Sequence, residues 1–124
     1  MSVSKPPVYL NLLHIRLPLP GWVSILQRMS GILLFFSLPA LIYLFHLSLD
    51  DAGYAQFMHW RQLWPVRMLW LALLWAYLQH FLAGIRFLLL DIHIGTHLPL
   101  ARRLAGATLV MSGLLTLLIA GAWW

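Results

Sequence analysis

The sequence predicts an all-α membrane protein with three transmembrane helices, and three observations predict it. The chain is 62% hydrophobic and 9% charged, whereas a soluble domain carries about 25% charged residues, so it lacks the polar surface needed to coat a core against water. Its mean hydropathy is +0.84. Three mostly apolar runs of about 20 residues, the length that crosses a bilayer, are separated by charged or proline-marked breaks. With 124 residues there is room for one small unit, so residues 1–124 are read as a single transmembrane anchor domain with no separate catalytic domain.

The first span is expected over about residues 22–49. Its apolar body begins at Gly31, after the polar turn Ser24-Ile25-Leu26-Gln27-Arg28-Met29-Ser30. Pro39 lies inside it, a position where a membrane helix can kink. Asp50-Asp51-Ala52-Gly53 closes the span, because no hydrocarbon core accepts two carboxylates in a row. The second span covers about residues 66–91, entered through Pro65, which suits a first helical turn. His93, Gly95, His97 and Pro99 then read as a short connection. The third span, about residues 103–124, starts at Arg102-Arg103 and ends in Trp123-Trp124, a pair that fits an interfacial aromatic belt.

Lys and Arg are retained on the cytoplasmic side of a membrane protein. One side would carry Lys5, Arg16, Arg28, Arg86, Arg102 and Arg103, and the other only Arg61 and Arg67. The N-terminus is therefore expected to be cytoplasmic and the C-terminus outside. The segment from Pro6 to Pro20, with four prolines, reads as a non-helical or interfacial lead-in. Residues 1–15 show neither an apolar signal-peptide region nor an Arg- and Ser-rich transit pattern.

Composition also excludes functions. The net charge of +5 is too dispersed for a nucleic-acid-binding stripe. With no cysteine the chain holds no disulfide, no thiolate-bound iron–sulfur cluster and no Cys-ligated zinc. Any redox centre has to be held by histidine. Three helices alone leave much of their surface to lipid, so partner helices are expected, and Gly106, Ala107, Ser112, Gly113, Ala120 and Gly121 offer small side chains for close contact in the third span.

Polar groups at membrane depth mark function by default. His80 sits about 15 Å from the cytoplasmic end of the second span and cannot snorkel. Ala72, Ala76, Ala83 and Gly84 flank it at helical spacings, a strip of small residues that would make a shallow slot for a flat macrocycle bound through an imidazole. A histidine hydrogen-bonded to a neighbouring helix is the other reading of the same pattern. Arg86 lies about 9 Å nearer the cytoplasm, within reach of an anionic group held near His80, with Asp91 placed to orient it. Ser24, Gln27 and Arg28 cluster at i, i+3 and i+4 on the first helix. Their hydroxyl, amide and cation suit the two carbonyls of a quinone. His46 is about 15 Å or more from the level of His80, so a second axial ligand has to come from another chain. His93 and His97 fall in a loop.

Two motifs resemble the cytochrome b subunit of succinate dehydrogenase, the larger membrane anchor of respiratory complex II. The segment Ser24–Gly31 is similar to that family's Ser-x-x-His-Arg-x-Ser/Thr-Gly signature. The segment His80–Asp91 is similar to its His-x-x-x-Gly-x-Arg-His/Phe-x-x-x-Asp signature, which fixes five residue types over twelve positions. The lead-in Pro6-Pro7-Val8 resembles the family's Arg-Pro start, with Pro6 in place of arginine. The resemblance covers nearly the whole chain. Gln27 stands where the family usually has histidine.

The resemblance implies a membrane-anchor subunit of succinate:quinone oxidoreductase, not catalytic alone, in the electron transport that joins the tricarboxylic acid cycle to a ubiquinone pool. It implies that His80 is an axial ligand of haem b iron, that Arg86, Arg28 and Gln27 adjoin the cofactor, and that Ser24 and Arg28 line the ubiquinone site. The implied partners are a flavoprotein subunit, an iron–sulfur subunit and a second small anchor that supplies the other haem ligand, all on a bacterial inner membrane. A haemless structural anchor and a fumarate reductase membrane subunit are the competing readings, with an unrelated pore or transporter fragment a third.

Overall fold

The computed structural model describes residues 16–123. The Pro6–Val8 lead-in, Lys5, His14 and the final Trp124 lie outside the described residues. Four helices follow one another: α1 Leu19–Leu47, α2 Asp51–Gln62, α3 Trp64–Asp91 and α4 Leu98–Trp123. Among the described residues there is no strand. Three of the four, α1, α3 and α4, are long and apolar enough to cross a membrane. Each span thus contains a long helix, of 29, 28 and 26 residues respectively.

Proline stands in the first turn of all three long helices, Pro99 being the second residue of α4 and not part of the connection before it. Pro18 caps α1 in an extended conformation with Pro20 in the first turn, and Pro65 opens α3, since a first-turn residue has no intrahelical use for its N–H. Pro39 is carried within a continuous α1. Between α3 and α4 the chain turns through His93 and Gly95, both at positive φ (65° and 82°). A side chain at Gly95 would also press into Leu104, so glycine suits that turn twice over.

The stretch after the first span is not a bare loop. Asp50 accepts a hydrogen bond from the Gly53 N–H at 2.8 Å and caps α2, with Asp51 in the first turn and His59 and Arg61 in the last, as the helix dipole favours. Phe57 packs edge-on against Trp70 of α3, with centroids 6.4 Å apart. Arg67 ties the α2–α3 junction by bonding Gln62 Oε1 at 2.6 Å.

α3 is the middle of the bundle, packed on both α1 and α4. The interior is made of small and polar residues. Val23, Ala76, Ala83 and Ala105 are its buried apolar members, while Ser30, Gln79, Arg86, Thr108, Ser112 and Thr116 are its buried polar ones. The large side chains, such as Phe35, Phe36, Leu88 and Leu118, point outward. That arrangement suits lipid, which attracts Leu and Phe as well as a protein core does and leaves close van der Waals contact and hydrogen bonds to join helices. On α4 the packed face is Ala105, Thr108, Ser112 and Thr116. Gly113 and Gly121 stay open to the outside of the bundle, for a Cβ added at either meets nothing within 4 Å.

Candidate functional site

His80 is the sixteenth residue after Trp64 and the eleventh before Asp91, about 24 Å and 16 Å from the two ends of α3. Its ring meets α1 at Gln27, Ser30 and Gly31. His80 Nδ1 is 3.1 Å from the Gln27 carbonyl oxygen and 3.3 Å from Ser30 Oγ. A carbonyl only accepts, so Nδ1 carries the proton and donates to Gln27 O. Nε2 is then the unprotonated nitrogen, with its lone pair available to a metal. Gly31 makes this approach possible: a Cβ there would lie 2.9 Å from His80 Cε1 and 3.3 Å from Nδ1.

A side chain at Gly31 therefore has to displace the imidazole. We expect Gly31→Val to cost about 1–3 kcal/mol, the usual penalty of overpacking, seen as a lower thermal midpoint in detergent. Gly113→Ala, in open space, should leave that midpoint unchanged or slightly raised, and equal losses from the two would refute the packing role of Gly31.

Of the small-residue strip around His80, Ala72 is exposed, whereas the other three residues do not form an open slot. Ala76 and Ala83 are wholly buried between the helices of this chain, and Gly84 lies beside Gln27, whose Nε2 would be 3.6 Å from a Cβ added there. Small residues at these positions bring α1 and α4 close to α3. Tyr77 and Phe81, stacked at 6.3 Å and exposed, flank His80 on its outer side.

Arg86 is turned inward. It is 5% exposed, its Cζ lies 5.3 Å from the Phe87 ring centroid, and its Nε and Nη1 have no hydrogen-bond partner among the described residues. Asp91, expected to orient it, is exposed at the end of α3. A buried guanidinium with unmet donors calls for an anion or a strong acceptor.

The Ser24, Gln27 and Arg28 cluster divides. Arg28 Nη2 donates to Ser24 Oγ at 3.3 Å on an accessible face of α1. Gln27 instead faces α3, giving His80 its carbonyl oxygen, and its own Oε1 is buried without a partner among the described residues. Position 27 thus touches His80 through its backbone, a contact that no side-chain pattern foretells. His46 is fifteen residues past Gly31 on α1, about 22 Å away along the axis, too far to face the same metal. Reading the sequence also missed Ser30 as a partner of His80, and Gln79, wholly buried beside it. The one available signal for Gln79 was an amide in the middle of an apolar span.

Together these features define a small, multi-span helical membrane subunit that presents one oriented imidazole near the middle of α3 and, six residues on, a buried arginine whose Nε and Nη1 are unmet among the described residues. The chain belongs to the succinate dehydrogenase/fumarate reductase transmembrane subunit family, which matches residues 2–119. It is similar to the succinate dehydrogenase cytochrome b556 subunit of Coxiella burnetii, at 34% identity over 125 residues covering 97% of both chains. The subunits of the same name in Rickettsia felis and Rickettsia conorii are 31% and 30% identical, each over 94% of this chain and 91% of theirs.

Proposed function

We propose that this chain is the cytochrome b anchor of a succinate:quinone oxidoreductase, holding haem b through His80 and forming part of the ubiquinone-reduction site. The observation that carries the reading is the Nδ1–H bond to Gln27 O, which fixes the tautomer and leaves Nε2 for iron. The residues fit the group in a second respect: Arg86 has two buried, unmet donors of the kind that bind a carboxylate such as a propionate. Haem, when bound, supplies a one-electron centre between the soluble redox partners and the quinone.

The chain's own residues do the rest. His80 offers the neutral imidazole. Gln27 O and Ser30 Oγ hold its ring plane. Ser24 and Arg28, paired on α1, offer a hydroxyl and a cation to a quinone carbonyl, close to the basic end, where protons are available from the aqueous phase. The unit works as one anchor domain with the N-terminus cytoplasmic, in a bacterial inner membrane. Its partners are a flavoprotein, an iron–sulfur subunit and a second small anchor that brings the opposite histidine, since His46 is too distant to do so.

Haem b measured as its pyridine complex tests the reading: one haem per anchor chain is expected in the purified complex, and none would leave a purely structural anchor. Arg86→Gln should loosen the haem. Loss of a charge-assisted bond worth about 1.5–3 kcal/mol corresponds to roughly 10- to 100-fold weaker retention, followed as haem release on detergent dilution. Unchanged retention would separate Arg86 from the propionates.

A further inference from the structure

Among the described residues, side-chain hydrogen bonds join the membrane-spanning helices at one level only. His80 bonds α1, and the residue before it, Gln79, bonds α4, where Ser112 Oγ lies 2.9 Å from Gln79 Oε1. Every other side-chain bond falls within a helix and its caps or ties α2 to α3. Adjacent residues of a helix project about 100° apart, so α3 is gripped from two directions at the height of the imidazole.

Gln79 is an expensive way to pack. Its side chain is wholly buried and its Nε2 has no partner among the described residues, a burden of about 1–3 kcal/mol that a leucine of similar volume would avoid. Ser112 Oγ also lies 2.9 Å from Leu109 O, and its single proton serves one acceptor at a time. When that proton goes to Leu109, a flip of the Gln79 amide turns Nε2 onto Ser112 Oγ. The contact between α3 and α4 survives either arrangement, because the Gln79 side chain carries both an acceptor and a donor.

We propose that Gln79 is a positioning residue: its contact with Ser112 sets the rotation of α3 about its own axis and so aims the His80 ring. A ligand of this kind has to be held within about 0.5 Å and 10–20° of its working geometry, and packing among Ala76, Ala83 and Ala105 offers no directional lock. This inference rests on His80 as the iron ligand.

The test uses the purified complex, with wild type, His80→Ala, Gln79→Leu, Gln79→Glu, Ser112→Ala and the Gln79→Leu/Ser112→Ala double variant. Two readouts are followed: the low-spin ferric haem signal in electron paramagnetic resonance, whose g values report ligand-ring orientation, and the 15N resonance of His80 Nδ1 in the reduced complex. Gln79→Leu should keep its haem but shift both signals, Ser112→Ala should shift them in the same sense, and the double variant should add nothing beyond the larger single shift. Gln79→Glu, neutral at this depth and able to bond Ser112, should stay near wild type. Wild-type g values and Nδ1 resonance in Gln79→Leu with haem retained would overturn the proposal. Should Gln79→Leu fail to assemble, Ser112→Ala alone decides by the same criterion. A wild-type complex without the haem signal, or a signal that survives His80→Ala, would overturn the ligand assignment instead. The Nδ1 resonance would still decide whether Gln79 positions the ring.

Discussion

Replacing His80 by alanine is expected to abolish the b-type band in the reduced-minus-oxidised spectrum while the anchor still assembles. The first half follows from the proposed ligation: among the described residues no other histidine stands at that depth, His46 being about 22 Å further along α1, so iron held by His80 would lose its bond from this side. The second half follows from what His80 leaves behind. Ser30 Oγ already bonds Gln27 O at 3.0 Å, so removing the imidazole strands no donor on α1, and the contact of Gln79 with Ser112 persists on the other face. Succinate oxidation with a soluble artificial acceptor should remain near wild type. A variant that keeps its band would refute the assignment, and one that loses the band only together with the whole complex would show His80 to be a packing residue.

Arg28→Ala carries the other large effect. Arg28 and Ser24 are bonded to each other on a face of α1 that is open to a ligand, and α1 has little of its surface buried in this chain. Removing a charged donor to a quinone carbonyl costs about 1.5–3 kcal/mol. Quinone reduction should fall roughly 10- to 100-fold in kcat/KM, while electron delivery to an artificial acceptor continues. Haem should be retained, because His80 and its bond to Gln27 O are left in place. Equal loss of both activities would point to assembly and not to quinone binding.

The three spans were legible because a bilayer demands a run of apolar residues whose length is read directly from the sequence. α2 was not, since Asp50, Asp51, His59 and Arg61 look like an aqueous exit, although Asp50 three residues before Gly53 is a capping signal. Helix rotation was the harder quantity. In a soluble helix the apolar stripe points to the core, but here apolar residues surround each of the three long helices and the interior is marked by Ser30, Gln79, Arg86 and Ser112. That inversion is why the strip of Ala76, Ala83 and Gly84 read as a ligand slot and is instead helix contact. His80 was legible as a candidate from its type and place in the span. Its partners were not, for Gln27 acts through a carbonyl oxygen that every residue type possesses.

If His80 Nε2 binds haem iron while Nδ1 stays on Gln27 O, electron cryomicroscopy of the assembled complex reads that arrangement most directly. Planar porphyrin density is expected, with its iron bonded to His80 Nε2 and a histidine of a second chain on the opposite side. Density in which that imidazole contacts only protein or lipid, with no macrocycle against α3, would contradict it.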